Sequence, residues 1–275
     1  MSKESIASIR RILEIHHVSQ GTIRPHFILT GPSGSGKSFN ITGLCDELGV
    51  QMLEVNCAQL TKEGLSGNSL SKALAGLENV GMNPCVIFLD EFDKLFISGN
   101  SNSDLAHEST NGIQNEMLKM LEAGTTQIYT GRYGVYADVS VDKHLFVFAG
   151  AFNGEPDIDL DRLRQMGIKT EFLGRVGLTF PMEKVKLEDL LAAVETSELL
   201  DMYLGIYPDV VRDTVVAEVQ KCIADNYEHN TLGYRQITTL LHQFFINGTL
   251  KSKAKKPPVF TRSLALPTPT DMFDN

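Results

Sequence analysis

Gly31-Pro-Ser-Gly-Ser-Gly-Lys-Ser38 is the stretch whose residue types and spacing speak most directly of chemistry, and it fits G-x-x-x-x-G-K-[ST] in full. Gly31, Gly34 and Gly36 let successive backbone N–H groups curl around phosphate oxygens without Cβ clashes, and Pro32, Ser33 and Ser35 complete the loop. Lys37 is placed to neutralise β and γ oxygens, and the Ser38 hydroxyl to ligate Mg2+ at a helix N-terminus. Phe39, the next residue, is counted with the nucleotide-binding set. Further on, Val86-Ile-Phe-Leu-Asp-Glu91 delivers two carboxylates at the end of an apolar run. Asp90 is expected to hold the magnesium through water, and Glu91 to polarise the attacking water. An apolar run ending in Asp-Glu is a weak signal alone. Downstream of a complete phosphate loop, it argues for hydrolysis of ATP rather than binding only.

Such residues need a frame, and the hydropathy pattern supplies one. Residues 4–17 carry Ile6, Ile9, Ile12 and Leu13 at helical spacing. His26–Thr30 reads as a buried strand ending in the glycine loop, and a helix is expected from Lys37 to about Leu48. Strands follow at Gln51–Asn56, Cys85–Leu89 and Leu145–Ala149, with helices at Leu70–Leu77 and 112–123. Strands alternating with helices indicate an α/β fold with a doubly wound, mainly parallel sheet. Gln127–Asp142, rich in β formers around Gly131 and Gly134, reads as a hairpin. After about Pro181 the strand signals stop, and three helical stretches are expected near 186–200, 208–228 and 233–247. The domains expected are 1–182 for the nucleotide-binding part, 183–250 for a small helical part, and 251–275 for a flexible tail with prolines at 267 and 269.

Composition excludes several classes. With 275 residues the chain can form one sizeable core and a smaller companion. No stretch has the 18 or more apolar residues that cross a bilayer, and the N-terminus lacks a signal-peptide h-region, so a cytoplasmic location is expected. A net charge of −9 argues against binding nucleic acid over the whole surface. Cys45, Cys57, Cys85 and Cys222 are scattered, with no CxxC pair, and are read as reduced, buried thiols. His16 and His17 are adjacent and are read as helix surface rather than as a metal site.

With both motifs in place, the chain resembles the AAA+ ATPases, and within them the ClpX/HslU branch of hexameric unfoldases, over roughly residues 26–245. Phe88-Leu-Asp-Glu-Phe-Asp-Lys94 resembles that branch's extended Walker B. Gln114-Asn-Glu-Met-Leu-Lys-Met-Leu-Glu-Ala-Gly124 is similar to its QxxLLKLxEG helix, Phe146–Gly154 to its sensor-1 strand and GAF turn, and Glu171-Phe-Leu-Gly-Arg175 to its EFxGR box. The resemblance implies an AAA+ P-loop NTPase parallel sheet with a small C-terminal helical lid domain. It also implies that Arg175 is a finger reaching a neighbour's nucleotide, hence self-association into a ring, a homo-hexamer, acting on a protein client. Asn153 is a sensor-1 candidate. At the sensor-2 position Asn230-Thr-Leu-Gly-Tyr-Arg235 puts Leu232 where the family has its arginine. Arg235 is either an ATP-facing substitute three residues on or a structural arginine.

Other departures narrow the expectation. The pore-loop position reads Gly64-Leu65-Ser66-Gly67, with no aromatic to grip a polypeptide. Only sixteen residues, Glu155 to Thr170, lie between the GAF turn and the EFxGR box, without an Ile/Leu-Gly-Phe tripeptide, and a zinc-binding N-terminal domain is not expected ahead of the core. A ClpP-type peptidase partner is therefore not expected. The hairpin's Arg132, Tyr133 and Tyr136 could meet either a polypeptide or a nucleic acid. For the end of the chain, residues 268–275, two readings stand. One is a solvated tail with no partner. The other is a sliding-clamp motif, since Asp271-Met-Phe-Asp274 resembles the clamp-binding peptides of T4-like phage DNA polymerases, which would make the chain a bacteriophage replication or transcription accessory ATPase.

Overall fold

The structure, a computed structural model, describes residues 3–60, 68–81, 83–96, 104–131, 135–229 and 232–250. The first elements are α1 (Lys3–Val18), β1 (Phe27–Thr30), α2 (Lys37–Leu48), β2 (Gln51–Asn56), α3 (Leu70–Ala73), α4 (Leu77–Val80) and β3 (Cys85–Asp90). They are followed by α5 (Asp104–Ala123), β4 (Thr125–Tyr129), β5 (Tyr136–Ser140), β6 (Leu145–Ala149), α6 (Leu160–Gln165), α7 (Thr170–Arg175) and β7 (Leu178–Pro181). The helices α8 (Leu187–Glu195), α9 (Glu198–Ile206), α10 (Arg212–Asp225) and α11 (Arg235–Asn247) complete the described chain.

Five strands form a wholly parallel sheet in the order β2-β3-β6-β1-β7. The interior strands β1, β3 and β6 are continuous apolar runs because helices cover both faces. Their residues alternate between two cores. Phe27, Leu29, Val86, Phe88 and Val147 pack with Ile9 and Leu13 of α1 and Ile41 of α2. Ile28, Ile87, Leu89, Phe146 and Phe148 pack with Ile113 and Met117 of α5 and Phe172 of α7. Parallel pairing puts every strand's C-terminal end on one edge, where α/β sheets bind ligands. The expected hairpin is present: β4 and β5 pair antiparallel from Thr125–Ser140 to Tyr129–Tyr136.

The details differ from expectation at four places. The helix expected at Leu70–Leu77 is two four-residue helices, Leu70–Ala73 and Leu77–Val80, separated by a turn. The edge strand β7 was not expected. The stretch 186–200 is broken where the Ser197 hydroxyl accepts a hydrogen bond from Leu200 N at 3.4 Å, a cap that ends one helix and starts another. His16 is not helix surface: it is fully buried, its Nε2 2.9 Å from the Lys143 carbonyl, while His17 is exposed. The reason is geometric, since residues 9, 12, 13 and 16 occupy one helical face. All four cysteines are free thiols; Cys45, Cys57 and Cys85 are buried and Cys222 is half-buried.

The chain divides into two compact units between Lys184 and Val185. The second has its own apolar core, built from Leu190, Val194, Leu200, Val215, Val219, Ile223 and Leu241, with the Tyr203 ring stacked on Phe245 at 4.3 Å. Among the described residues, no helix is long and apolar enough to cross a membrane.

Candidate nucleotide site

The strand β1 runs straight into the glycine loop. Gly31 has φ 137°, and a Cβ there would lie 2.2 Å from the Met182 carbonyl oxygen, so both conformation and space demand glycine. Met182 N donates to Thr30 O at 2.7 Å and fixes that close approach. Gly34 and Gly36, at φ 73° and 82°, take the left-handed turns that curl the loop back into α2. The N-cap Gly36 brings no side chain to this helix, and no acidic residue lies in its first turn. The positive end of the helix dipole there favours an anion.

Lys37, 8% exposed, donates from Nζ to Gly31 O at 2.8 Å and to Pro32 O at 3.0 Å, so its ammonium spans the loop. The Ser38 hydroxyl donates to Asp90 Oδ2 at 3.2 Å, joining the loop to the end of β3 across 52 residues. This pair offers two hard oxygen donors side by side, the donor type that suits Mg2+. Asp90 Oδ1 accepts from Glu91 N at 2.8 Å, and Glu91 turns out of the strand at φ 54°, a left-handed conformation rare for a glutamate. Phe39 is 78% exposed, one residue beyond Ser38.

Two residues of this neighbourhood were given no role from the sequence. Asp93 is 1% exposed; its Oδ2 accepts from Phe152 N at 3.2 Å, and its Oδ1 has no partner among the described residues. It faces Gly150, where a Cβ would come within 2.7 Å of Oδ1. Asp93 thereby holds the turn after β6, in which Phe152 and Asn153 take left-handed conformations at φ 45° and 58°. Cys57 is buried beside the same carboxylates. Burial first, then the charges of Asp90, Asp93 and Glu91, push its thiol pKa up, leaving it an unreactive thiol. Asp93 is visible in the sequence as part of the Phe88–Lys94 motif, but its burial is not.

Arg175, Asn153 and Arg235 are the remaining candidates. Arg175 ends α7, is about half exposed, and donates to Glu122 Oε1 at 3.1 Å. Asn153 is exposed. Arg235 opens α11 in the second unit, and the neighbouring Leu232 is 47% exposed. On the hairpin, Tyr129 and Tyr136 meet edge to face at 5.8 Å. Leu65 with its flanking glycines, Arg132 and Tyr133 of the hairpin tip, and the tail 268–275 lie outside the described residues.

Residues 27–172 match the family described as the ATPase family associated with various cellular activities (AAA). The chain is 22% identical over 291 residues to the ATP-dependent Clp protease ATP-binding subunit ClpX of Borrelia duttonii, covering 89% of this chain and 68% of the relative. It is 23% identical to ClpX 2 of Wolinella succinogenes, with coverages of 84% and 66%. To the ATP-dependent protease ATPase subunit HslU of Rickettsia rickettsii it is 27% identical over 171 residues, 59% of this chain and 35% of that one. The chain thus spans about two-thirds of these ClpX relatives and a third of the HslU. A family match over more than half the chain lies on a parallel sheet whose C-terminal edge joins the glycine loop to the Asp90 carboxylate. The chain therefore belongs to the AAA family of ATPases and is a nucleotide-binding ATPase resembling its ClpX/HslU members.

Proposed function

We propose that this chain works as a ring, using ATP hydrolysis to remodel protein clients or dissociate complexes without a partner peptidase. The observation that carries the hydrolytic assignment is the 3.2 Å contact between Ser38 in the first turn of α2 and Asp90 at the end of β3. Ser38 and Asp90 would hold the magnesium ion, which supplies neutralisation of charge on the β and γ oxygens. Lys37 would exchange the carbonyls of Gly31 and Pro32 for phosphate oxygens, a gain because a charged acceptor binds ammonium more strongly than a neutral one. Glu91 would orient and deprotonate the attacking water. Arg175, exposed at the end of α7, would reach the γ-phosphate of a neighbouring subunit. Arg235 would serve the lid.

The proposed lack of a peptidase partner is supported by the segment between Gly154 and α7, which is short and filled by α6, itself capped by Asp159 on Arg162 N at 2.7 Å. A second reading, an accessory ATPase brought to a sliding clamp, rests on Asp271-Met-Phe-Asp274 alone. The test is phosphate release with Mg2+ and ATP, together with loss of a folded reporter and dissociation of a weak complex. Glu91→Gln should retain ATP binding and lose turnover by about 100-fold or more. Turnover at the wild-type rate in that variant would refute the assignment of the base.

A further inference from the structure

Gln114 is buried to 2% exposure on a face of α5 otherwise made by Ile113, Met117, Met120 and Leu121. An amide is costly there unless both its ends are bonded. Both are: Nε2 donates to Gly167 O at 3.1 Å, and Oε1 accepts from Lys169 N at 3.2 Å. One side chain thus grips the backbone on either side of Ile168, which is itself 2% exposed. Gly167 takes φ 101° here, a conformation that L side chains seldom adopt. The gripped segment leads directly into α7, the six-residue helix that ends in Arg175.

Other contacts register α7 along α5. Lys169 Nζ donates to Asn115 Oδ1 at 2.6 Å at the start, and Arg175 Nη2 to Glu122 Oε1 at 3.1 Å at the end. Between them Phe172, 1% exposed, packs its ring on Phe148 at 5.0 Å and on Phe92 at 5.4 Å. The two polar contacts are exposed, and exposed pairs hold a geometry weakly. The Gln114 amide, its two part-buried bonds both made, is better shielded from water than either of these.

We infer that Gln114 is the positioning residue for Arg175, fixing the pose in which α7 presents its guanidinium to a neighbouring subunit. This rests on the trans-acting reading of Arg175 proposed above. Its signature is genetic: a Gln114 defect should behave as a finger defect, not as a nucleotide-site defect. Gln114→Met keeps the volume and removes both hydrogen bonds; Gln114→Glu keeps the acceptor for Lys169 N and loses the donor, and serves if the first variant does not fold. Either should bind a fluorescent ATP analogue like the wild type while kcat falls about tenfold, the scale of a small misplacement of a catalytic group.

The deciding experiment mixes subunits in equal amounts and measures phosphate release. Glu91→Gln subunits lack the base but keep the finger, so a mixture with Gln114→Met should recover about a quarter of the wild-type rate, well above the sum of the parents. Mixing Gln114→Met with Arg175→Ala should recover nothing beyond the parents. Arg175→Ala with Glu91→Gln is the control. If the control recovers activity and Gln114→Met with Glu91→Gln does not, Gln114 is not a positioning residue for the finger while the finger reading stands. If the control itself fails in rings shown to be mixed, the finger reading falls and this inference with it. A wild-type rate for both Gln114 variants also overturns it.

Discussion

Lowering the pH from 7 to 5 should destabilise the sheet unit through histidines that have nothing to do with the nucleotide. His144 is 1% exposed, and neither ring nitrogen has a partner among the described residues. Burial first, then the nearby His16, hold its pKa down at about 4, although Asp142 pulls the other way. His26, half-buried, is lowered to about 4 by burial, then by Arg24 and His16; its Nδ1 accepts from Phe146 N at 3.1 Å, a bond the protonated ring cannot make. His16 is lowered by burial as well. The sign follows from where the protons go. The unfolded chain takes up a proton near pH 6.5 and the folded one only near pH 4, so stability is full above 6.5 and falls as pH drops from 6.5 toward 4. At pH 5 the unfolded histidine is charged and the folded one is still neutral, a loss of about 2 kcal/mol for His144. His26, lowered to the same value, adds a share of similar size. Against a total stability of roughly 5–15 kcal/mol that is a large fraction. Paired carboxylates such as Glu47 and Glu155 titrate below their ordinary range, so they contribute little at this pH. The assay is thermal melting by far-UV circular dichroism at both pH values, since the chain has no tryptophan. The His144 share corresponds to a fall of about 4–8 °C in the melting temperature. His144→Leu should remove that share while leaving stability at pH 7 unchanged or raised, because it replaces two unbonded buried polar atoms. If His144→Leu loses as much as the wild type between pH 7 and 5, the reasoning is refuted.

Gly31→Ala should cost on the order of 2–4 kcal/mol, because its methyl would press on the Met182 backbone 2.2 Å away, and should abolish nucleotide binding in an equilibrium titration. Gly150→Ala should cost about 1–3 kcal/mol by overpacking, since its Cβ meets Asp93 Oδ1 at 2.7 Å and the Phe152 ring at 2.8 Å; ATP turnover should fall along with the melting temperature as Asp93 is pushed off Phe152 N. A Leu65→Tyr ring should unfold more of a stable fluorescent reporter per ATP hydrolysed than the wild type, because an aromatic ring buries about 150–250 Å² against a passing polypeptide; equal yields would remove gripping strength as the property that sets this chain apart.

What could be read from the sequence and what could not separate along one physical line. The glycine loop's turns, the interior strands and the β4–β5 hairpin were legible because each is decided by neighbours in sequence. Glycines stand where φ is positive, and a strand covered on both faces is a continuous apolar run. The edge strand β7 escaped because Leu178-Thr-Phe-Pro181 is short, only partly buried and closed by a proline, so its identity comes from pairing with β1. His16 was misread because its residue type outweighed its spacing, although Ile9, Ile12 and Leu13 already marked that face. Gln114 and Asp93 show the far end of this line. Their partners lie 53, 55 and 59 residues away, and a polar residue on an apolar face looks the same in a sequence whether it is satisfied or misplaced.

The same line runs through the function. In the proposed function, nucleotide binding and cleavage fall to two short segments that meet at Ser38 and Asp90, and a sequence can declare both. The proposed timing of cleavage falls to a turn and a finger held by residues distant in the chain. Asp93 holds the turn after β6, and Gln114 is proposed to hold the helix that ends in Arg175. The hydrogen bonds described for these two side chains run to the turn after β6 and to the segment before α7. Substitutions at these two positions should therefore separate binding from turnover, whereas substitutions in the loop remove both together.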